Sequence, residues 1–377
     1  MELRQAVFKA GTVFCAVFLI PLGIFNFSVY SDELSMLAGF SAKQVMQAPD
    51  AAGKYHDNSY DLFPAAELNS TKYTDIEMAL QETEPEYTSS EVPSPLAQED
   101  VSGMIPYPED LEDHDGVIES YNFGYYTGEQ YFDLDDSGQV RNCTLYSNDE
   151  LYALSKNGLP FELDKDTDEP CVLIYHTHAT ECFEPYARDF YDSDLTAKCT
   201  ERDKNIISVG DKICEQLDAA GVPYIHDTLV HDYPSYDSAY QSSRSAVQEI
   251  LNKYPSIKIC LDIHRDGIER EDGTRIAPIA DIDGRQAAQI MIISCADDGS
   301  GDLPDFRKNF SFACVLQSAL ESRWNGLTRP ILFDTRFYNQ DLSVGSLLIE
   351  VGSHGNSIDQ AQYSGELIGK TLAQLFD

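Results

Sequence analysis

The 377-residue chain carries 26 Lys and Arg against 64 Asp and Glu, a formal net charge of -38. That balance excludes a nucleic-acid binder, which needs cationic surface to displace phosphate counterions. Nine cysteines, with no C-x-x-C pair among them, indicate neither a zinc ribbon nor a disulfide scaffold.

In chain order, Arg4 and Lys9 precede a nearly charge-free stretch, Ala10 to Val29, and Asp32 and Glu33 follow it. The stretch is long enough to cross a bilayer as a helix. Its flanking charges place the N-terminus in the cytoplasm and the rest outside. A cleavable signal peptide is the rival reading, but no clear A-x-A site ends the run. The expectation is therefore an uncleaved anchor over residues 1–30 and a single-pass protein of the cell membrane. Residues 31–115 lose hydrophobic periodicity and are rich in Asp, Glu, Ser and Pro, as in Glu82–Asp100. Such a segment buries too little apolar surface to offset its ordering entropy, and it reads as a disordered acidic tether. Residues 116–165 hold short runs rich in Tyr and Phe and read as an irregular β region.

From residue 166 to 377 strands alternate with helices. Strands are predicted at the apolar run Val172–Ile174, whose end is left open, and at Val222–His226, Ile257–His264, Ala287–Ser294 and Ser346–Val351. Helices are predicted at Asp203–Ala219, Tyr240–Lys253, Asp305–Trp324 and Asp359–Phe376. This alternation predicts an α/β domain with a mostly parallel central sheet flanked by helices.

Three of the buried strands end in metal-competent side chains. CVLIYHTHATE runs from an apolar strand into His176, His178 and Glu181; IKICLDIH ends in His264; SLLIEVG carries Glu350. Strand ends are where open α/β sheets bind ligands. Two imidazoles and a carboxylate suit zinc, whose catalytic sites take three protein ligands and leave a fourth position open. Glu350 follows three aliphatic residues, an expensive place for a carboxylate unless it meets a cation or acts as a base. If the first strand persists, His176 and His178 share a face; if it stops at Tyr175, they diverge. Asp262 is placed to support His264 from the same strand. Glu201, just before a helix, is read as a helix cap or an alternative ligand. His226, His231 and His354 read as structural, and His56 and His114 as solvated.

IYHTHATECF, the DKNIISVGDKI helix, DIHRDG and IEVGSHGN together resemble stage II sporulation protein P of endospore-forming bacteria, a family similar to the zinc-dependent N-acetylmuramoyl-L-alanine amidases. The resemblance implies a peptidoglycan hydrolase of engulfment that cuts the glycan–peptide amide and peptide cross-links, working at the membrane with stage II sporulation proteins D (a lytic transglycosylase) and M. It carries the zinc ligands onto His178, His264 and a glutamate. The sporulation motif offers Glu181 for that glutamate, and the broader amidases point to Glu201. It carries the catalytic role onto Glu350. His176 and Arg265 are expected to contact substrate, Arg265 through a carboxylate of the stem peptide. A different metal hydrolase and a non-catalytic wall-binding scaffold are the competing readings.

Overall fold

The computed structural model describes residues 71–72, 101 and 103–377. The anchor expected over residues 1–30, and most of the tether after it, lie outside the described residues. Among those described, no helix is long and apolar enough to cross a membrane.

Among the described residues, fourteen strands and five helices follow one another: β1 (Thr71–Lys72), β2 (Gly116–Tyr121), β3 (Tyr131–Asp133), β4 (Gln139–Asn142), α1 (Asn148–Ser155), β5 (Val172–Tyr175), β6 (Phe190–Tyr191), α2 (Ile207–Ala220), β7 (Tyr224–His226), α3 (Ala239–Lys253), β8 (Ile259–Asp266), β9 (Glu269–Arg270), β10 (Arg275–Ile282), β11 (Arg285–Ala288), β12 (Ile290–Cys295), α4 (Phe306–Arg323), β13 (Ile331–Asp334), β14 (Gly345–Ser353) and α5 (Ile358–Gln374). Eight strands form the central sheet in the order β3-β4-β13-β12-β14-β8-β5-β7. Its middle strands β8, β12, β14 and β5 are buried along their whole length, which is why they read as continuous apolar runs.

The sheet is mixed, which corrects the expectation of a mostly parallel one. β5, β7, β8 and β14 pair in parallel, as do β4, β13 and β12, but the two blocks meet antiparallel at β12 and β14. The cause lies in the connections. Parallel neighbours need a crossover that returns the chain to the starting end of the sheet. Between β8 and β12 the chain instead makes a β excursion (β9, β10, β11), so β12 starts where β8 ended and runs back. Nor is there a helix between β13 and β14, and the direction reverses again there.

The excursion strands build a second sheet, ordered β1-β9-β10-β2-β6, with β11 paired to β10. Residues 116–165 therefore divide: β2 joins this second sheet, while β3 and β4 extend the edge of the central one. Ala287 and Ala288, expected at the start of β12, belong to β11, because Gln289 separates the two strands by binding Phe123 and Gly326 backbone through its side chain.

Helices form where local signals agree. α2 buries Ile213, Cys214 and Leu217 and ends at Gly221, whose φ of 71° closes the helix with bonds back to Leu217 and Asp218. α5 opens with a reciprocal cap between Ser357 and Gln360. The two helices pack closely because α5 presents glycines: a Cβ on Gly365 or Gly369 would sit 2.6 Å from the carbonyl oxygen of Val209 or Ile213.

Residues 103–115, within the stretch read as tether, lie against the domain. The Ile105 carbonyl accepts from the Thr200 amide and the Ile105 amide donates to Thr200 Oγ1, the Tyr107 hydroxyl donates to Phe183 O at 2.7 Å, and Leu111 is buried beside Cys182 and Cys199. His114 stacks on Phe190 with ring centroids 3.5 Å apart.

Candidate active site

β5 stops at Tyr175, so the two histidines of the HTH segment diverge. His176 turns into the protein, where Nδ1 meets Ile263 O at 3.0 Å and Nε2 meets His226 Nε2 at 2.9 Å. Burial, then the neighbouring His226, holds its pKa well below the ordinary histidine value. Gly210 on α2 makes room for this pair: a Cβ there would lie 2.6 Å from both imidazoles. Gly210→Ala is thus expected to destabilise the fold by about 1–3 kcal/mol through overpacking, read as a lower denaturant midpoint at unchanged m-value.

His178 turns the other way. Its ring stacks on Tyr236 (centroids 4.5 Å, interplanar angle 10°) and stands edge-on to His264 at 5.2 Å. It is buried, and neither ring nitrogen has a hydrogen-bond partner. Burial, with His264 and Lys198 adding to it, drives its pKa well below 6.5 and keeps the imidazole neutral. Two orphaned nitrogens on a buried neutral imidazole fit a metal ligand.

His264 comes from β8. Its Nε2 lies 2.9 Å from Asp262 Oδ1, without the alignment of a hydrogen bond, and its Nδ1 lies 3.8 Å from Glu181 Oε2. Burial opposes charge on this ring, but Asp262, Glu181 and Glu350 outweigh it, and the pKa is pushed up to about 10. Asp262 is itself fixed: it accepts from the Thr177 backbone at 2.8 Å and the Thr177 hydroxyl at 2.6 Å. Asp262 thus stands against His264, and the same carboxylate locks the start of the HTH turn.

Glu181 is buried, which raises its pKa, and accepts a 2.8 Å bond from the Arg265 amide. Glu350 is buried and pairs in register with His264 across the parallel β14–β8 ladder, which sets the two side chains on one face of the sheet. The tertiary fold therefore brings together His178, Glu181, His264 and Glu350 from three strand ends. It does not bring Glu201 to them. Glu201 Oε1 takes the Tyr107 amide at 2.8 Å, beside a 600 Å³ cleft lined by Arg202, Asp211 and Lys212 and by none of those four residues. The Arg265 guanidinium is likewise engaged inward, donating at 3.0 Å to the carbonyls of Asp266 and Ala197.

Sequence reasoning missed Asp232, Lys198 and Tyr236. Asp232 accepts from Thr180 through both backbone and hydroxyl, and its Oδ2 stands 3.9 Å from His178 Nδ1. These residues lie in irregular segments without periodicity, so only the folded chain reveals them. His231 spends its nitrogens on Ser242 and Asp227, and His354 sits 3.7 Å from Glu269.

The donor chemistry of His178, His264 and Glu181 fits zinc. Among the described residues, however, no three His, Cys, Asp or Glu side chains are gathered into a closed metal cluster.

The profile of the stage II sporulation protein P family matches residues 52–373. The chain belongs to that family. A relative within it, stage II sporulation protein P of Bacillus subtilis (strain 168), is 26% identical over 220 residues, covering 55% of this chain and 52% of the relative. The chain thus spans about half the length of the curated relative it matches. Among solved structures, N-acetylmuramoyl-L-alanine amidase AmiC2 of Nostoc punctiforme is 13% identical, with a TM-score of 0.34, covering 55% of this chain and 94% of the amidase. The N-acetylmuramoyl-L-alanine amidase of Clostridium difficile 630 is 13% identical, with a TM-score of 0.32, over 55% of this chain and 96% of that one. For the family member described here, the HTH turn and the two later strand ends are the segments that meet at the site.

Proposed function

We propose that this member of the stage II sporulation protein P family is a zinc-dependent peptidoglycan hydrolase of sporulation. It cleaves the N-acetylmuramoyl-L-alanine amide and, as a second activity, stem-peptide cross-links. The observation that carries the reading is the convergence of His178, with neither ring nitrogen hydrogen-bonded, on His264 beside Glu181 and Glu350. His178, His264 and Glu181 are the residues that would hold the metal, with Glu181 preferred to Glu201 because Glu201 is held by Tyr107. Bound zinc supplies a Lewis acid for the amide carbonyl.

The chain's own residues do the rest. Glu350 takes a proton from the attacking water and delivers it to the leaving amine nitrogen, a role that burial beside a histidine suits. Asp262 orients His264, and Asp232 holds Thr180 so that the turn carrying His178 keeps its shape. The predicted anchor over residues 1–30 would hold the domain outside the cytoplasm, and the tether would give it reach. Stage II sporulation proteins D and M are the proposed partners there, and membrane attachment raises the local concentration of enzyme at an anionic wall.

The test is digestion of purified peptidoglycan by the full chain, with mass analysis of the products. Stem peptides freed from glycan are expected with zinc, and a chelator is expected to suppress release at least 100-fold. Metal analysis of the same preparation separates the competing readings. Protein that binds no zinc and releases nothing, even with the lytic transglycosylase added, is a scaffold. Zinc-loaded protein that cuts a different bond is another hydrolase.

A further inference from the structure

We propose that Lys198 is the carboxylate-binding residue of this site, seating a free carboxylate of the peptide substrate beside His178; the proposal rests on the hydrolase reading above. Lys198 is paired with Glu181 in an antiparallel bridge. Directly opposed residues of such a pair project to the same face, so Lys198 shares the side of the turn that carries Glu181 to His264. Its Nζ lies 3.8 Å from the centroid of the Tyr236 ring. Tyr236 in turn stacks on His178 at 4.5 Å. The ammonium is therefore one aromatic ring away from the imidazole.

This cation is unlike its neighbours. Arg188 pairs with Glu184 and Arg202 with Asp211. Among the described residues no hydrogen bond or ion pair reaches Lys198, which is half-buried in a chain with 64 acidic residues. Partial burial strips hydration from an ammonium, and a tyrosine face returns only part of it. Asp232 and Glu181 attract it from a greater distance, but Asp232 is bound by Thr180 and Glu181 by the Arg265 amide. A compact ammonium with open donor positions, beside the proposed reacting centre, matches an incoming carboxylate. The sequence assigns that task to Arg265, whose guanidinium is occupied by two carbonyl groups.

The experiment is calorimetric titration of the full chain with an alanyl-glutamate stem peptide bearing free carboxylates and with the same peptide as its carboxamide. Neither contains the scissile bond, so turnover is not required. Wild type is expected to bind the carboxylate form about ten-fold more tightly, as a charge-assisted hydrogen bond provides. Lys198→Met is expected to bring that ratio to within two-fold of unity, and Lys198→Arg to preserve most of it. Thermal unfolding checks the variants, and Lys198→Gln serves if methionine is not tolerated. A wild-type ratio near one, or a ratio unchanged in the folded Met or Gln variant, overturns the proposal. Peptidoglycan hydrolysis is assayed on the same preparation. Loss of the ratio at Lys198 in a protein that hydrolyses nothing upholds the carboxylate site and removes the hydrolase reading. An active protein whose ratio ignores Lys198 does the reverse.

Discussion

Glu350→Gln is expected to lower the release of stem peptides from peptidoglycan by about 10²–10⁴-fold, the range lost when a general base is removed. The substitution keeps the size and planarity of the side chain, so the register of β14 against β8 is retained. An amide has no basic oxygen to accept a proton from water at neutral pH, so proton transfer fails while the histidines stay in place. Zinc content and unfolding midpoint should match those of the wild type. An effect confined to turnover assigns Glu350 to the chemistry. Turnover within three-fold of the wild type would remove the acid–base step from the proposed mechanism.

Asp262→Ala is expected to cost about 3–5 kcal/mol of folding stability, as the loss of one member of a buried ionic network does. Asp262 is 1% exposed and accepts from the Thr177 amide and hydroxyl while lying 2.9 Å from His264 Nε2. Alanine leaves the Thr177 amide buried without its acceptor and removes the carboxylate charge beside His264, while the Thr177 hydroxyl keeps only Ser243 Oγ at 2.8 Å. Urea unfolding of metal-free protein measures the loss.

The pH dependence of that loss follows from His264, whose folded pKa is raised to about 10 with Asp262 among the causes. A histidine raised above its unfolded value near 6.5 contributes stability that is fully present below pH 6.5 and lost as pH rises through the folded value. The gap between wild type and Asp262→Ala should therefore be widest below about pH 6.5 and narrow toward pH 10. A gap independent of pH would mean that His264 is neutral in the metal-free fold and that the cost comes from the Thr177 bonds alone.

Much of this protein is determined by its sequence alone, because the signals involved are local. Continuous apolar runs mark β5, β8, β12 and β14, since strands buried on both faces have no polar side to show. Three-to-four periodicity closed by Gly221 marks α2, and Leu367, Leu372 and Leu375 on one side mark α5. His178, Glu181, His264 and Glu350 were legible as candidates for the same reason: each interrupts or ends such a run, where a polar side chain is costly without a purpose.

The tertiary structure decided what depends on connections between distant segments. The direction of β12 follows from a β excursion that carries no crossover helix, which strand-by-strand patterning does not encode. The separate fates of His176 and His178 hinge on β5 stopping at Tyr175, a boundary that periodicity fixes poorly over four residues. Arg265 and Glu201 carry the right charges for their expected roles, yet Ala197 and Asp266 carbonyls hold one and the Tyr107 amide holds the other. Tyr236 and Asp232 reach His178, and Lys198 reaches Tyr236, from loops whose sequences carry no periodic pattern. Their proximity arises only once the chain between residues 192 and 238 has packed, because contact among such residues is set by burial and hydrogen bonding across the fold and not by spacing along the chain.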